Sequence, residues 1–325
     1  MKAALCTAYN APDAIRIAEI PTPTPKPDEV LIRIHASGVS SGDWRIQSAS
    51  FPLGFAILGR LLLGWSRPRQ PILGTALSGV VAATGAAVIK FKPGDAVIGF
   101  PGARLGGHAD YICMQETAAL ALKPSTLSFP EAAALAFGGS TALHFLITLG
   151  KLQKGERVLI NGASGAVGSA AVSLARHFGA EVTGVASSAN QALVKSLGAQ
   201  QVIDYTTTDY ATTGQTWDLI LDTVGPDSLR RQRRALSAAG RVLLVNTDLP
   251  HMLTAALTNL FSRQKALAGV APESAAALET LAALAQSGQF KPLIDRTLPF
   301  DQIRAAYAVV ASQHKRGSVQ LDHMT

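Results

Sequence analysis

Cysteine is nearly absent from this chain. Two are present in 325 residues, Cys6 and Cys113, far apart and neither in a Cys-x-x-Cys pair. That leaves almost no room for a thiolate zinc site. Both read as small apolar strand residues, in Ala-Leu-Cys-Thr and Tyr-Ile-Cys-Met. The seven histidines include no His-x-His or His-x-x-x-His pair, so they suggest no metal site either. Charge is also sparse, at 16% of residues against 48% hydrophobic ones, which speaks against disorder and allows a large core. No basic N-terminal stretch leads into an apolar run and a small-residue cleavage site, so the cytoplasm is the expected location. No uncharged apolar window reaches the roughly 18–20 residues of a membrane span. The nearest, Phe51 to Trp65, is interrupted by Arg60 and followed by Arg67 and Arg69. It reads as an amphipathic lid or a surface-seeking segment.

The net charge of +7 raises the question of nucleic acid. The basic residues are scattered, however, apart from Arg230, Arg231, Arg233 and Arg234, and no aromatic ladder or finger motif accompanies them. This run reads as a solvated helix face, and no nucleic-acid partner is expected.

The length suits two domains of roughly 100–200 residues each. Short strands broken by Pro and Gly fill the first third: Lys2–Cys6, Glu29–His35, Leu77–Ala82 and Ala96–Phe100. These resemble a compact β-barrel. A helix is expected from Glu131 to Leu149, ending at Gly150. Strands and helices then alternate: Arg157–Ile160, Ala166–Phe178, Glu181–Val185, Asn190–Leu197, Gln201–Ile203, Leu219–Leu221 and Arg241–Val245. That alternation predicts a doubly wound parallel sheet. The regularity fades after about residue 260, where a helix over Glu273–Ser287 and a strand near Ser318–Leu321 are expected.

The sharpest motif is Asn161-Gly162-Ala163-Ser164-Gly165-Ala166-Val167-Gly168, between an apolar strand and a helix with stripe residues Val167, Ala171, Leu174, Ala175 and Phe178. Glycine at 165 lets a pyrophosphate approach the backbone, and glycine at 168 lets the helix pack on the strand. The helix N-terminus then favours phosphate charge. NAD sites place a carboxylate at the end of the second strand. Here that end reads Val185-Ala186-Ser187-Ser188-Ala189-Asn190, without an acid. Hydroxyls there and nearby Lys195 suit a 2′-phosphate, which points to NADPH. Ser188 or Asn190 serves equally as the N-cap of the next helix.

With these motifs in place, the chain resembles medium-chain dehydrogenases/reductases of the zinc-independent quinone oxidoreductase branch over nearly its full length. The resemblance rests on Gly38-Val39-Ser40-Ser41-Gly42-Asp43-Trp44, Leu73 to Val81, Phe91-Lys92-Pro93-Gly94-Asp95 and Gly106 to Tyr111. It continues through Gly139-Ser140-Thr141-Ala142, the glycine turn, Leu197-Gly198-Ala199 and Val202 to Tyr205. It implies an α/β chain with a GroES-like β-barrel catalytic domain and a doubly wound Rossmann domain. The expected division is 1–123, 124–262 for the Rossmann domain, and 263–325 returning to the catalytic domain, with the cleft at the junction. It also implies a homodimer. By position, Thr141 matches the threonine beside the nicotinamide. Ser164, Gly165, Ala166 and Val167 match the pyrophosphate turn, and Ser187, Lys195 and Tyr205 the 2′-phosphate contacts, with Ser188 beside them in the expected cofactor set. Val224 and Asn246, which follow later strands, complete the expected cofactor set. Ser40, Thr75 and Ala76 stand where zinc-dependent relatives carry Cys and His-Glu, so the resemblance implies no metal. The chain departs from the common pattern at Ser40-Ser41 (usually Asn-Pro), Ala76 (often Asp), Ala189 (often Arg) and Ser318 (often Lys).

Without a Lewis acid, hydride addition to an enone or quinone is easier than to a plain carbonyl, because the charge spreads onto a conjugated oxygen. Ser40, Ser41 and Thr141 are the expected donors, with solvent as the proton source; ordinary turn chemistry explains the serines equally well. Asp43 is expected to fix its loop. Phe51, Phe55, Leu61 and Trp65 are expected to line a hydrophobic pocket or its lid. The expected substrate is a small hydrophobic conjugated carbonyl or quinone. The alternatives are a zinc-free alcohol or aldehyde dehydrogenase, and a non-catalytic NADPH- or RNA-binding protein.

Overall fold

The computed structural model describes residues 1–10, 14–225 and 228–324. The chain opens with an antiparallel hairpin of β1 (Lys2–Cys6) and β2 (Ile15–Glu19). The long strand β3 (Glu29–Val39) follows, then helices α1 (Ser41–Ser48) and α2 (Ala56–Leu63). Strands β4 (Ala76–Thr84), β5 (Ala96–Gly99), β6 (Tyr111–Gln115) and β7 (Leu120–Leu122) complete the first stretch.

Helix α3 runs Phe129–Leu149. It starts two residues before the expected Glu131 because Ser128 caps it, its hydroxyl accepting from the Glu131 N–H while the Glu131 carboxylate accepts from the Ser128 N–H. Its bonding widens to an i→i+5 pattern over Leu135–Gly139 and again over His144–Leu149. Among the described helices it alone is long and apolar enough to cross a bilayer, yet 67% of its apolar window is buried within the protein. It is a core helix.

Next come β8 (Arg157–Asn161), α4 (Ala166–His177), β9 (Glu181–Ala186), α5 (Gln191–Ser196) and β10 (Gln201–Asp204). They are followed by β11 (Trp217–Asp222), α6 (Leu229–Arg234), β12 (Leu236–Leu244), α7 (Leu249–Phe261) and β13 (Lys265–Ala268). The chain closes with α8 (Ala275–Gln286), β14 (Ile294–Pro299), α9 (Ile303–Ala311) and β15 (Ser318–Asp322).

Two compact units result: residues 1–51, 56–140 and 273–325, and residues 52–55 with 141–272. In the first, a seven-stranded sheet has the order β14-β15-β3-β4-β5-β7, with β6 also on β3. Ile32, Ile34, Leu77, Val97 and Met114 fill its interior. In the second, six parallel strands have the order β10-β9-β8-β11-β12-β13. This is a GroES-like barrel unit and a Rossmann sheet.

The divisions fall at 140/141 and 272/273, not at the expected 123/124 and 262/263. The start of α3 packs on β3 and β4, which holds it in the barrel unit. At the other end, β13 completes the parallel sheet beyond residue 262. That four-residue Lys-Ala-Leu-Ala strand lacks polar alternation, so the sequence does not display it.

Candidate functional site

The strand order reverses between β8 and β11, and the Gly162–Gly165 turn lies at that switch point. Ligands of open α/β sheets bind outside the carboxyl ends of strands at such a point. α4 begins immediately after the turn, with Gly165 in an extended conformation at its N-cap and no side chain capping it. The first N–H groups of the helix are thus left for an external acceptor. The two turn glycines have different causes. A Cβ on Gly168 would lie 2.0 Å from the Gly162 carbonyl oxygen, so close helix–turn packing demands glycine. A Cβ on Gly165 would meet only the Gly162 oxygen, at an ordinary 3.5 Å. The fold itself does not require glycine there, whereas a ligand lying against the turn would.

β9 ends at Ala186, and Asn190 ties the following loop back to the turn. Its Nδ2 donates to Ser164 Oγ and Ser187 Oγ at 3.3 Å each, while its Oδ1 is buried without a hydrogen-bond partner among the described residues. Ser188 donates to the Asp204 carboxylate. Asp204 also accepts from Thr206 N at 2.9 Å and Thr206 Oγ1 at 2.7 Å. The Ser188 bond, then those from Thr206, hold this carboxyl below its usual range. Lys195 and Tyr205 are exposed close by in sequence. Asp204 escaped the sequence reading, which sought an acid at the end of β9. It arrives instead from β10, in register with Ala186.

The carboxyl edge of the sheet gathers a second set. Asn161 Nδ2 donates to Asp222 Oδ1 at 3.1 Å, and Gln232 Nε2 to Asp222 Oδ2 at 2.6 Å. The Val224 N–H donates to the same carboxylate, and Asn246 Nδ2 donates to the Val224 carbonyl at 3.1 Å. Val224 and Asn246, both expected cofactor contacts, are thereby brought together, and buried Asp222 anchors them. Thr141 is buried two residues after the first widened segment of α3, and the hydroxyl of neighbouring Ser140 lacks a partner among the described residues. Widened turns of this kind re-aim side chains and recur at functional sites.

In the barrel unit, Ser40 caps α1 where β3 ends, and Asp43 is fully buried beneath it. Asp43 Oδ2 accepts from Ser40 N (2.8 Å), Ser40 Oγ (2.6 Å) and Thr75 Oγ1 (3.2 Å), and Oδ1 accepts from Gly74 N (3.1 Å). Burial raises its pKa, and the hydrogen bonds from Ser40, Thr75 and Gly74 work against that rise. The Ser40 hydroxyl donates to Asp43 and accepts from its N–H, so its donor is committed. Ser41 is half-buried, and among the described residues its hydroxyl makes no hydrogen bond. Deeper in, Ser37 Oγ bridges His108 Nδ1 (3.2 Å) and His323 Nε2 (2.8 Å). Burial pushes both imidazoles down to about 3.

The chain as a whole has counterparts among known proteins. The chain is 30% identical over 324 residues to the chloroplastic quinone-oxidoreductase QR1 of Triphysaria versicolor, covering 95% of this chain and 94% of that protein. The chain belongs to the medium-chain dehydrogenase/reductase superfamily, in its quinone oxidoreductase branch.

Within that superfamily, residues 26–125 match the alcohol dehydrogenase GroES-like domain and residues 197–319 the zinc-binding dehydrogenase family. The 2-methylene-furan-3-one reductase of Solanum lycopersicum is 30% identical over 331 residues, covering 98% of this chain and 78% of that protein. The quinone oxidoreductase structure from Coxiella burnetii superposes with a TM-score of 0.88 at 27% identity, covering 99% of each chain. The chain is thus an oxidoreductase of the quinone-reductase type, from a superfamily that binds a nicotinamide cofactor.

The word zinc in one family description meets a poor donor set here. At the positions that the sequence resemblance set against the metal ligands, the Ser40 and Thr75 hydroxyls are both engaged with Asp43, and Ala76 offers no donor side chain. Among the described residues, no group of three or more His, Cys, Asp or Glu side chains could hold a metal ion. Such a set does not fit zinc.

Of the apolar residues expected to form a pocket or lid, Leu61 and Trp65 are exposed, while Phe51 and Phe55 are half-buried. α2 carries no buried residue at all.

Proposed function

We propose that this oxidoreductase uses NADPH to reduce a quinone or an α,β-unsaturated carbonyl compound without a metal. The observation that carries the reading is the pair of hydroxyls, Ser40 and Thr75, held on buried Asp43, with half-buried Ser41 next in the chain. When bound, the cofactor supplies the hydride. Asp43 holds the Ser40 and Thr75 hydroxyls, and Ser41 donates a hydrogen bond to the substrate oxygen as charge develops there, with solvent supplying the proton. A few hydrogen bonds suffice for a delocalised enolate or hydroquinone anion, whereas an isolated carbonyl would need stronger polarisation. Thr141 belongs to the nicotinamide side. Ser164, Gly165, Ala166 and Val167 receive the pyrophosphate, and Ser187, Lys195 and Tyr205 the 2′-phosphate.

NADPH and NADH absorbance followed with a quinone, an enone, a saturated aldehyde and a saturated ketone tests this. Oxidation with the conjugated pair alone is expected, unaffected by chelators. Turnover of the saturated pair would favour the alcohol or aldehyde dehydrogenase reading. One observation favours NADH: the Asp204 carboxylate beside Ser188. Lys195→Ala separates the cases. It is expected to weaken NADPH about tenfold and leave NADH unchanged, a difference of about 1.4 kcal/mol; equal effects on both would remove Lys195 from the 2′-phosphate pocket.

Internal use of the arginine run weighs against RNA binding. Arg231 pairs with Asp209 at 2.7 Å and lies over the Tyr210 ring. Arg233 donates to Thr258 at 2.8 Å. A cytoplasmic homodimer completes the proposal. β13 ends the parallel sheet with one edge unpaired among the described residues, and a second copy would cover it.

A further inference from the structure

α2 carries a surface that the hydride-transfer reading does not use. Ile57, Leu58, Leu61 and Leu62 fall one helical turn apart in pairs and form one face. Their exposures are 69%, 51%, 55% and 64%, and Trp65, just beyond the helix, is 65% exposed. On the opposite face, Gly59 sits against the Phe51 ring, where a Cβ would approach within 3.0 Å. The stripe is also pinned in place. Arg60 Nη1 donates to the Trp65 carbonyl (2.7 Å), the Arg60 guanidinium lies over the Tyr9 ring, and Tyr9 Oη donates to the Gly64 carbonyl (2.9 Å).

The charge along the segment that carries the stripe has one sign. From Trp44 to Gly94 the sequence contains no Asp or Glu, but it carries Arg45, Arg60, Arg67, Arg69, Lys90 and Lys92. Arg67 and Arg69 are exposed immediately after the stripe, and neither makes an ion pair among the described residues. A rigid apolar ridge with a tryptophan and flanking arginines has the composition of an interfacial anchor: leucines enter the acyl boundary, the indole sits at headgroup level and the guanidiniums meet phosphates. A second copy would present the same cations to these, in a chain of net charge +7.

We propose that α2, Trp65, Arg67 and Arg69 dock this protein on an anionic phospholipid surface. The test is sedimentation of the full chain with phosphatidylglycerol/phosphatidylcholine vesicles and with pure phosphatidylcholine vesicles. Binding to the anionic vesicles alone is expected, weakening as salt rises. The Ile57→Ser/Leu58→Ser/Leu62→Ser variant is expected to lose at least tenfold in partition while keeping its circular dichroism and cofactor affinity. Arg67→Gln/Arg69→Gln is expected to abolish the preference for anionic lipid. Vesicles should shift tryptophan emission to the blue in the wild type and not in Trp65→Phe. No sedimentation of the wild type, or equal sedimentation of the triple serine variant, overturns the proposal. So does a triple serine variant that changes the oligomeric mass without altering vesicle binding, since the stripe would then face a second copy.

Discussion

Gly165→Asp is expected to fold as well as the wild type and to lose at least a hundredfold in affinity for the nicotinamide cofactor. The backbone at 165 is extended, a conformation open to any residue. A side chain there finds room in the protein, and aspartate is among the best helix N-caps, so stability holds or rises. The same carboxylate would occupy the place proposed for the pyrophosphate and oppose its charge at the helix N-terminus. A hundredfold loss corresponds to about 2.7 kcal/mol. Gly168→Ala is the contrasting variant. Its methyl group collides with the Gly162 carbonyl oxygen, and such overpacking costs about 1–3 kcal/mol, a fall of roughly 2–12 °C in Tm. Titration of cofactor fluorescence and thermal melts read the two effects separately. Cofactor affinity retained in Gly165→Asp would move the phosphate site away from this turn.

Acid is expected to unfold the barrel unit well before its carboxylates are neutralised. Buried His108 and half-buried His323 lie on either side of Ser37, with folded pKa values of about 3. In the unfolded chain each titrates near the ordinary value of about 6.5. Between those values the unfolded chain binds the protons and the native one does not. The stability is therefore complete above about pH 6.5 and is lost as pH falls toward 3. Asp43 acts in the opposite sense. Its raised folded pKa means that the native state holds a proton the unfolded chain has released, so its contribution falls as pH rises through that interval. The pair outweighs the single acid by one to two protons, or about 1.4–2.7 kcal/mol per pH unit. Trp44 fluorescence in a Trp65→Phe/Trp217→Phe background reports on this unit. Its denaturant midpoint should fall between pH 7.5 and 5.5, and His323→Asn should make the fall shallower. A midpoint independent of pH would mean that the imidazoles are charged in the folded state.

The sequence by itself determined the layer architecture and the glycine-rich turn. Parallel strands buried on both faces read as apolar runs, and the turn, the helix stripe and the glycines are all local features within a few residues of Gly165. It also placed Ser40, Ser41 and Asp43 at the end of a strand, because a cap and its partner lie three residues apart. The short parallel strand β13 and the helical α2 were not legible, since neither has a long enough period to declare itself. Tertiary structure alone decided which distant groups meet. Pairing of β10 with β9 delivers Asp204 to Ser188, and pairing of β11 with β8 delivers Asp222 to Asn161. Folding also sets His323 across Ser37 from His108. Strand register fixes the two carboxylate meetings, and a shift of one residue would turn each of those side chains to the opposite face of its sheet.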